Sequence, residues 1–427
     1  MVNKMTPAFQ KAKGGLFETV TKADVGDNVT DLEKNGGQLM SWADPFYSGS
    51  DYPRHVVDAA VSCLLSGRGV HYTMPIGNPD LKTELAKHIK RYNHIELDPA
   101  RNILITPGSD SGLFFAILPF IRPGDEVMVL DPSYPNNAQD VEICGGTVVY
   151  IPCTPETNYH PSIEEFQKRL TPKTKMVILT NPNNPTTTVY RREWMQALSA
   201  FILENDLICV ADQAFEYPVF DGLEMVTIAS LPGMWERTIT VCSFSKGMGL
   251  SGFRVGYLFA DDVIMDKLFG TAVAVIGAAN TAAQAGAIAA LQHSEYLDAY
   301  AKEHLARRNM VYEYLRVVPG VSLQKSESGF LTWLDVSRLG SSEEIVTYLL
   351  KEAHVAVNAG SAYGLNGEGF IRLVHGTSST LDALRDTLST IQRLLVKKAK
   401  EKGLTTVMAY ICEAQKDTKG SNSSFSL

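Results

Sequence analysis

Six runs of apolar and β-branched residues recur between residues 102 and 242: Asn102–Thr106, Glu126–Leu130, Thr147–Ile151, Met176–Thr180, Leu207–Ala211 and Thr238–Cys242. Helical patterns separate them. Because the runs are nearly continuous in apolar character, they suit strands buried on both faces, as in a mainly parallel sheet covered by helices. Ligands of such sheets bind at the carboxyl ends of the strands. Five polar clusters fall there: Thr106–Asp110, Asp131–Tyr134, Thr180–Pro185, Ala211–Phe215 and Ser243–Lys246. The pattern predicts an α/β domain over residues 56–311 with these clusters converging on one site.

Beyond residue 312 the strands become shorter, at 329–335, 355–358 and 369–374, and a long helix follows from about Leu381 to Lys400. This predicts a smaller α+β domain, built from residues 312–427 and completed by residues 1–55. The polar, serine-rich stretch after about residue 413 reads as a disordered tail. At 427 residues, with 45% hydrophobic and 20% charged residues, the chain is an ordinary globular one. A formal net charge of −8 gives no support to nucleic-acid binding. The basic run Lys397–Lys402 reads as the solvated end of a helix.

Six cysteines without paired spacing predict reduced thiols and a cytoplasmic home, and Met1–Gln10 has no apolar core of the kind a secretory signal needs. Leu268–Ser294 carries no Asp, Glu, Lys or Arg, but its Ala, Gly, Thr and Asn content reads as a buried helix, not a membrane span. The nine histidines show no metal-ligand spacing, so no metal is expected.

The densest chemistry lies in Thr238–Tyr257, where Lys246 stands beside Ser243 and Ser245 and Arg254 follows eight positions later. Two hydroxyls and a guanidinium suit a phosphate, and the amine suits Schiff-base formation with an aldehyde. Pyridoxal 5'-phosphate answers both requirements. The glycines of Gly247–Gly252 also mimic a dinucleotide loop, but that loop must open a helix, whereas Phe253–Ala260 reads as a second strand.

Taken together, these motifs resemble the class I/II aminotransferases of the aspartate aminotransferase superfamily, and the resemblance runs from about Trp42 to Arg372. It implies a fold type I, pyridoxal-phosphate-dependent transferase: a mainly parallel seven-stranded sheet in the large domain beside the smaller α+β domain. Lys246 would carry the Schiff base and then move a proton to and from the substrate. Asp212 would face the pyridine nitrogen, Asn184 the ring 3′-oxygen, and Tyr134 the ring face. Ser109 and Asp110, at the opening of a helix, would offer backbone amides to the phosphate together with Ser243, Ser245 and Arg254. Arg372 and the backbone of Ala43 would hold the substrate carboxylate, with Asn184 beside them. Tyr72 matches a tyrosine that reaches the phosphate of a neighbouring subunit, which implies a homodimer.

The activity so implied is transfer of an amino group from an L-amino acid to a 2-oxo acid. Carbon–sulfur β-lyases, aminocyclopropane-carboxylate synthases and decarboxylases share the same motifs, because the cofactor stabilises a carbanion whichever bond breaks. One departure stands out. The family usually has a tyrosine three residues after the ring-nitrogen aspartate, donating to the 3′-oxygen; this chain has Phe215, with Tyr217 as the nearest alternative donor.

Overall fold

The computed structural model describes residues 4–11, 32, 36–45 and 52–405. The serine-rich C-terminal stretch expected to be disordered lies outside them. Seven strands form the central sheet, in the spatial order Ile103–Thr106, Gly256–Phe259, Thr238–Ser243, Ile208–Asp212, Thr174–Thr180, Glu126–Asp131, Thr147–Pro152. All neighbours are parallel except Gly256–Phe259, which runs antiparallel to the strand on each side.

The two-residue period of the strands sorts their side chains between two packed faces. Met128, Leu130, Val177, Leu179 and Cys209 enter one core cluster, while Val127, Val129, Met176, Ile178 and Val210 enter another. This double burial explains why the runs are continuously apolar and not alternating.

A second sheet of four strands has the order Asn358–Ala359, Phe370–Val374, Leu331–Asp335, Ser322–Leu323, all antiparallel. The helix Leu381–Glu401 covers it with Leu384, Leu388, Ile391 and Leu395, spaced to share one helical face. Gln38–Leu39 pairs in parallel with Val355–Ala356, and the Val374 amide donates to the Met40 carbonyl at 2.8 Å. The N-terminal segment is thereby threaded onto the edge of the C-terminal part of the chain.

Leu268–Ser294 does not form the single buried helix expected. It is divided between the helices Asp262–Val275 and Thr281–Gln292, with Gly277 at positive φ in the break. Thr281–Gln292 is closely packed through Ala282, Ala283, Gly286, Ala287 and Ala290, but Val273 on the first helix is exposed. Among the described residues no helix is long and apolar enough to cross a membrane, and the five described cysteines are free thiols.

Candidate active site

A cavity of about 250 Å³ opens at the carboxyl ends of the central strands, lined by residues from five different strand ends. Lys246 enters from the short helix Phe244–Gly247, which follows directly on Thr238–Ser243. The Ser243 hydroxyl caps this turn by accepting from the Ser245 amide at 3.0 Å. From the other side, the buried Tyr300 hydroxyl donates to the Lys246 carbonyl at 2.6 Å. The Lys246 ammonium itself donates to the Ala43 carbonyl at 2.5 Å, tying the N-terminal segment to the base of the cavity. Ser245 lines this cavity; Ser243 does not, and faces a separate one behind the turn. In this structure the Ser243 hydroxyl serves as the cap that shapes the lysine's turn.

Asp212 ends its strand with its side chain 2% exposed. The Ala214 amide donates to one of its oxygens at 3.1 Å and the Thr180 hydroxyl to the other at 3.3 Å. Burial nevertheless pushes its carboxyl up from 3.8 to about 6, because two neutral donors do not replace the lost hydration. A buried carboxylate facing a cavity calls for a cationic partner there.

Arg254 and the Ser109 turn meet across a close backbone approach. Arg254 adopts left-handed φ of 52° at the reversal between Thr238–Ser243 and Gly256–Phe259. A Cβ at Gly256 would lie 2.6 Å from the Gly108 carbonyl carbon, and one at Gly108 would lie 2.3 Å from Arg254 Nη2. Only glycine fits at either position. The helix Ser109–Ile117 opens here with its free amides beside the guanidinium. Asp110 stands 3.6 Å from Arg254 and accepts from the Tyr134 hydroxyl at 3.0 Å.

Arg372 is completely buried. Its guanidinium donates to Asn358 Oδ1 at 2.8 Å, to the Ser41 carbonyl at 2.9 Å and to Asn184 Oδ1 at 3.0 Å, and it stacks 5.0 Å above the Tyr363 ring. These three acceptors are neutral. Asn184 sits in a loop locked by its own asparagines: Asn181 accepts from the Tyr190 amide at 3.0 Å, and Asn183 from the Thr186 amide at 3.1 Å. Ser41, Asn358 and Tyr300 were not among the expected site residues. A signal existed for Asn358 alone, since its polar side chain interrupts an apolar strand directly opposite Arg372.

Phe215 lines the cavity and packs on Phe330 with ring centroids 5.5 Å apart. Tyr217 does not take the place of the missing tyrosine: its hydroxyl donates to the Leu297 carbonyl at 2.9 Å, on the far side of the lysine's turn. Tyr72 is 98% exposed and lies outside its own chain's cavity.

The family model described as aminotransferase class I and II matches residues 39–388. The chain belongs to this family. It is a pyridoxal-phosphate-dependent aminotransferase of fold type I. Its similar proteins include aromatic-amino-acid aminotransferase 2 of Thermococcus litoralis, 32% identical over 82% of this chain and 90% of that protein. The aspartate aminotransferase of Musicola paradisiaca is 31% identical over 88% and 94% of the two chains. Among solved structures, the aromatic aminotransferase of Pyrococcus horikoshii aligns with a TM-score of 0.80 and 28% identity, covering 88% of this aminotransferase and all of that chain. The Thermus thermophilus aspartate aminotransferase with maleate aligns at 0.78 and 27%, covering 85% and 94%. The strand Gly256–Phe259, where a dinucleotide loop would need a helix, agrees with this family and not with the rival glycine reading.

The residues present fit the cofactor. Asp212 would supply the buried anion that a protonated ring nitrogen needs, and the glycine-lined approach of Arg254 to the Ser109 amides would leave room for a phosphate.

Proposed function

We propose that Lys246 is the catalytic base and covalent anchor of the amino transfer, and that this aminotransferase prefers amino acids with uncharged side chains. The observation that carries the first reading is the convergence of Lys246, Asp212, Asn184 and Tyr134 on one cavity. When bound, pyridoxal phosphate supplies an electron sink for the substrate carbanion. Asp212 holds negative charge against the ring nitrogen, and Asn184 donates to the ring oxygen from a side chain whose own oxygen is fixed by Arg372. Ser243, Ser245, Arg254 and the amides of Ser109 and Asp110 would hold the phosphate. Arg372 receives the substrate carboxylate, with the Ala43 backbone beside it. Lys246, released from the Ala43 carbonyl, carries the proton from the substrate Cα, and its turn is kept in place by Ser243 and Tyr300.

The preference for uncharged side chains draws on Asp110, a half-exposed carboxylate lining the cavity. Lys246 and Arg254 are the only cations among the described lining residues, and both have other work. An acidic substrate side chain would find no uncommitted cation among the described lining residues. Tyr72, Val70, Leu65 and Met74 form an exposed apolar group near one another in sequence, which supports a homodimer in which Tyr72 serves the neighbouring site. The free thiols are consistent with work in the cytoplasm.

Lys246→Ala tests the assignment of the base. The variant should lose both the near-visible absorbance of the lysine-bound cofactor and amino transfer; retention of either sinks the assignment. Ammonia or pyruvate release in place of oxo-acid-dependent transfer would favour the lyase chemistry. A kcat/KM for aspartate above that for alanine and phenylalanine would reverse the side-chain preference.

A further inference from the structure

The turn that carries Lys246 is walled on its other side by a second cavity, and at about 750 Å³ it is larger than the reaction cavity. Volumes of this size accommodate drug-sized molecules. Ser243, Phe244, Gly247 and Met248 separate the two spaces. None of the site residues inferred from the sequence, apart from Ser243, faces this second cavity.

Among its lining residues is the buried Glu216, four residues beyond Asp212 and 5% exposed. Around the carboxylate, Asn93 Nδ2 and the Tyr257 hydroxyl stand at 3.4 Å, His88 Nε2 at 3.5 Å and Cys242 Sγ at 3.8 Å. Every one of these contacts is long. Charge-assisted hydrogen bonds to carboxylates normally close to 2.7–2.9 Å. A buried carboxylate held only at this range, with the His88 imidazole as its nearest ionisable neighbour, can accept a further positive partner.

The walls suit one kind of partner. Tyr92, Tyr217 and Tyr257 line the cavity, with the Tyr92 and Tyr217 rings at 71° to each other and the His88 ring stacked on Tyr92. Their hydroxyls are already engaged: Tyr92 donates to the Glu216 carbonyl and Tyr217 to the Leu297 carbonyl. The rings therefore act as apolar, electron-rich surfaces. At the mouth stand Glu84, Glu295 and Asp298 against Lys87 and Arg91, and Lys87 is paired with Glu84 at 2.9 Å. Including Glu216, four carboxylates outnumber two cations. Aromatic faces around a buried carboxylate are the means by which proteins bind organic cations.

We propose that this second cavity is a binding site for a small organic cation, with the ammonium group against Glu216 and an apolar body among the tyrosines. It is distinct from the amino-acid site and does not require cofactor chemistry. Phe244 and Gly247, which line it, belong to the turn that carries the lysine.

The test uses the holoenzyme and benzyltrimethylammonium, whose quaternary nitrogen forms no Schiff base. Calorimetric titration should show saturable binding, and the neutral, similarly sized tert-butylbenzene should bind at least tenfold more weakly. Glu216→Gln should weaken the cation at least tenfold. Gln292→Trp, at the exposed rim, should block entry without touching the buried cluster, and it serves if the Glu216 variant does not fold. Aminooxyacetate, which caps the cofactor aldehyde, should leave binding unchanged within twofold. Absence of saturable binding to the wild type, equal binding by the folded Glu216→Gln or Gln292→Trp protein, or displacement by aminooxyacetate would each overturn the proposal.

Discussion

Arg372 Nη1 donates to Asn184 Oδ1 at 3.0 Å, so the residue expected at the substrate carboxylate and the residue expected at the cofactor oxygen are hydrogen-bonded to each other. The bond engages the Asn184 amide oxygen and leaves its nitrogen to the proposed contact with the ring oxygen. It also couples the four-stranded sheet, which carries Arg372, to the loop after Thr174–Thr180.

Arg372→Lys should therefore damage more than substrate binding. A single ammonium cannot serve Asn358, Ser41 and Asn184 while also meeting a carboxylate in bidentate fashion. Loss of one charge-assisted bond, about 2–3 kcal/mol, corresponds to roughly a 100-fold fall in kcat/KM. Steady-state kinetics should show KM rising and kcat falling together; a change confined to KM would mean that Asn184 keeps its orientation without Arg372.

Asp212 provides a stability prediction for the cofactor-free protein. Its folded-state pKa of about 6 lies above its ordinary value of 3.8. Its contribution is thus fully present below pH 4 and is lost as the pH rises through 6. The shift corresponds to about 3 kcal/mol at neutral pH. Cofactor-free Asp212→Asn should be the more stable protein at pH 8, with the advantage vanishing toward pH 4; urea denaturation at the two pH values decides. With cofactor bound the order should reverse, since the carboxylate then has its cation.

Phe215→Tyr restores a hydroxyl at the cavity wall. A donor to the ring oxygen favours its deprotonated form, so the absorbance transition of the lysine-bound cofactor should move to lower pH, by on the order of one pH unit. Because Tyr217 is committed to Leu297, it offers no substitute. An unchanged titration midpoint would show that the new hydroxyl does not reach the oxygen.

Gly108→Ala places a methyl group on the Arg254 guanidinium and forces φ of 84° with ψ of 167° on a residue with a Cβ. Such backbone costs about 1–3 kcal/mol. Cofactor affinity, measured by titrating the cofactor-free enzyme, should fall roughly tenfold or more, while Gly252→Ala, which meets nothing within 4 Å, should leave it unchanged.

The central strands were legible because burial on both faces leaves an uninterrupted apolar signal, and each motif at a strand end inherits its place from the strand before it. Lys246, Asp212 and Asn184 could be located in this way. What surrounds Arg372 could not. Ser41 lies 331 residues away and contributes a carbonyl, which no side-chain motif records. Tyr300 is similarly hidden, because its role depends on a helix folding back onto the Lys246 turn. The break at Gly277 went unseen because the uncharged stretch around it gave no polar cue to where one helix stops. Ser243 matched its motif, but serine caps turns as readily as it binds phosphate, and sequence spacing alone does not choose between the two.

The antiparallel strand Gly256–Phe259 has a consequence for how the catalyst comes into being. It places Lys246 and Arg254 on a single local reversal, closed by the pairing of Ser243 with Gly256. The proposed covalent anchor and the proposed phosphate cation are thus neighbours as soon as one hairpin forms, a contact of short sequence separation. Arg372 must wait for chain ends hundreds of residues apart to meet. The proposed cofactor pair thus meets through a local contact, whereas the proposed substrate residue meets its partners only through distant ones.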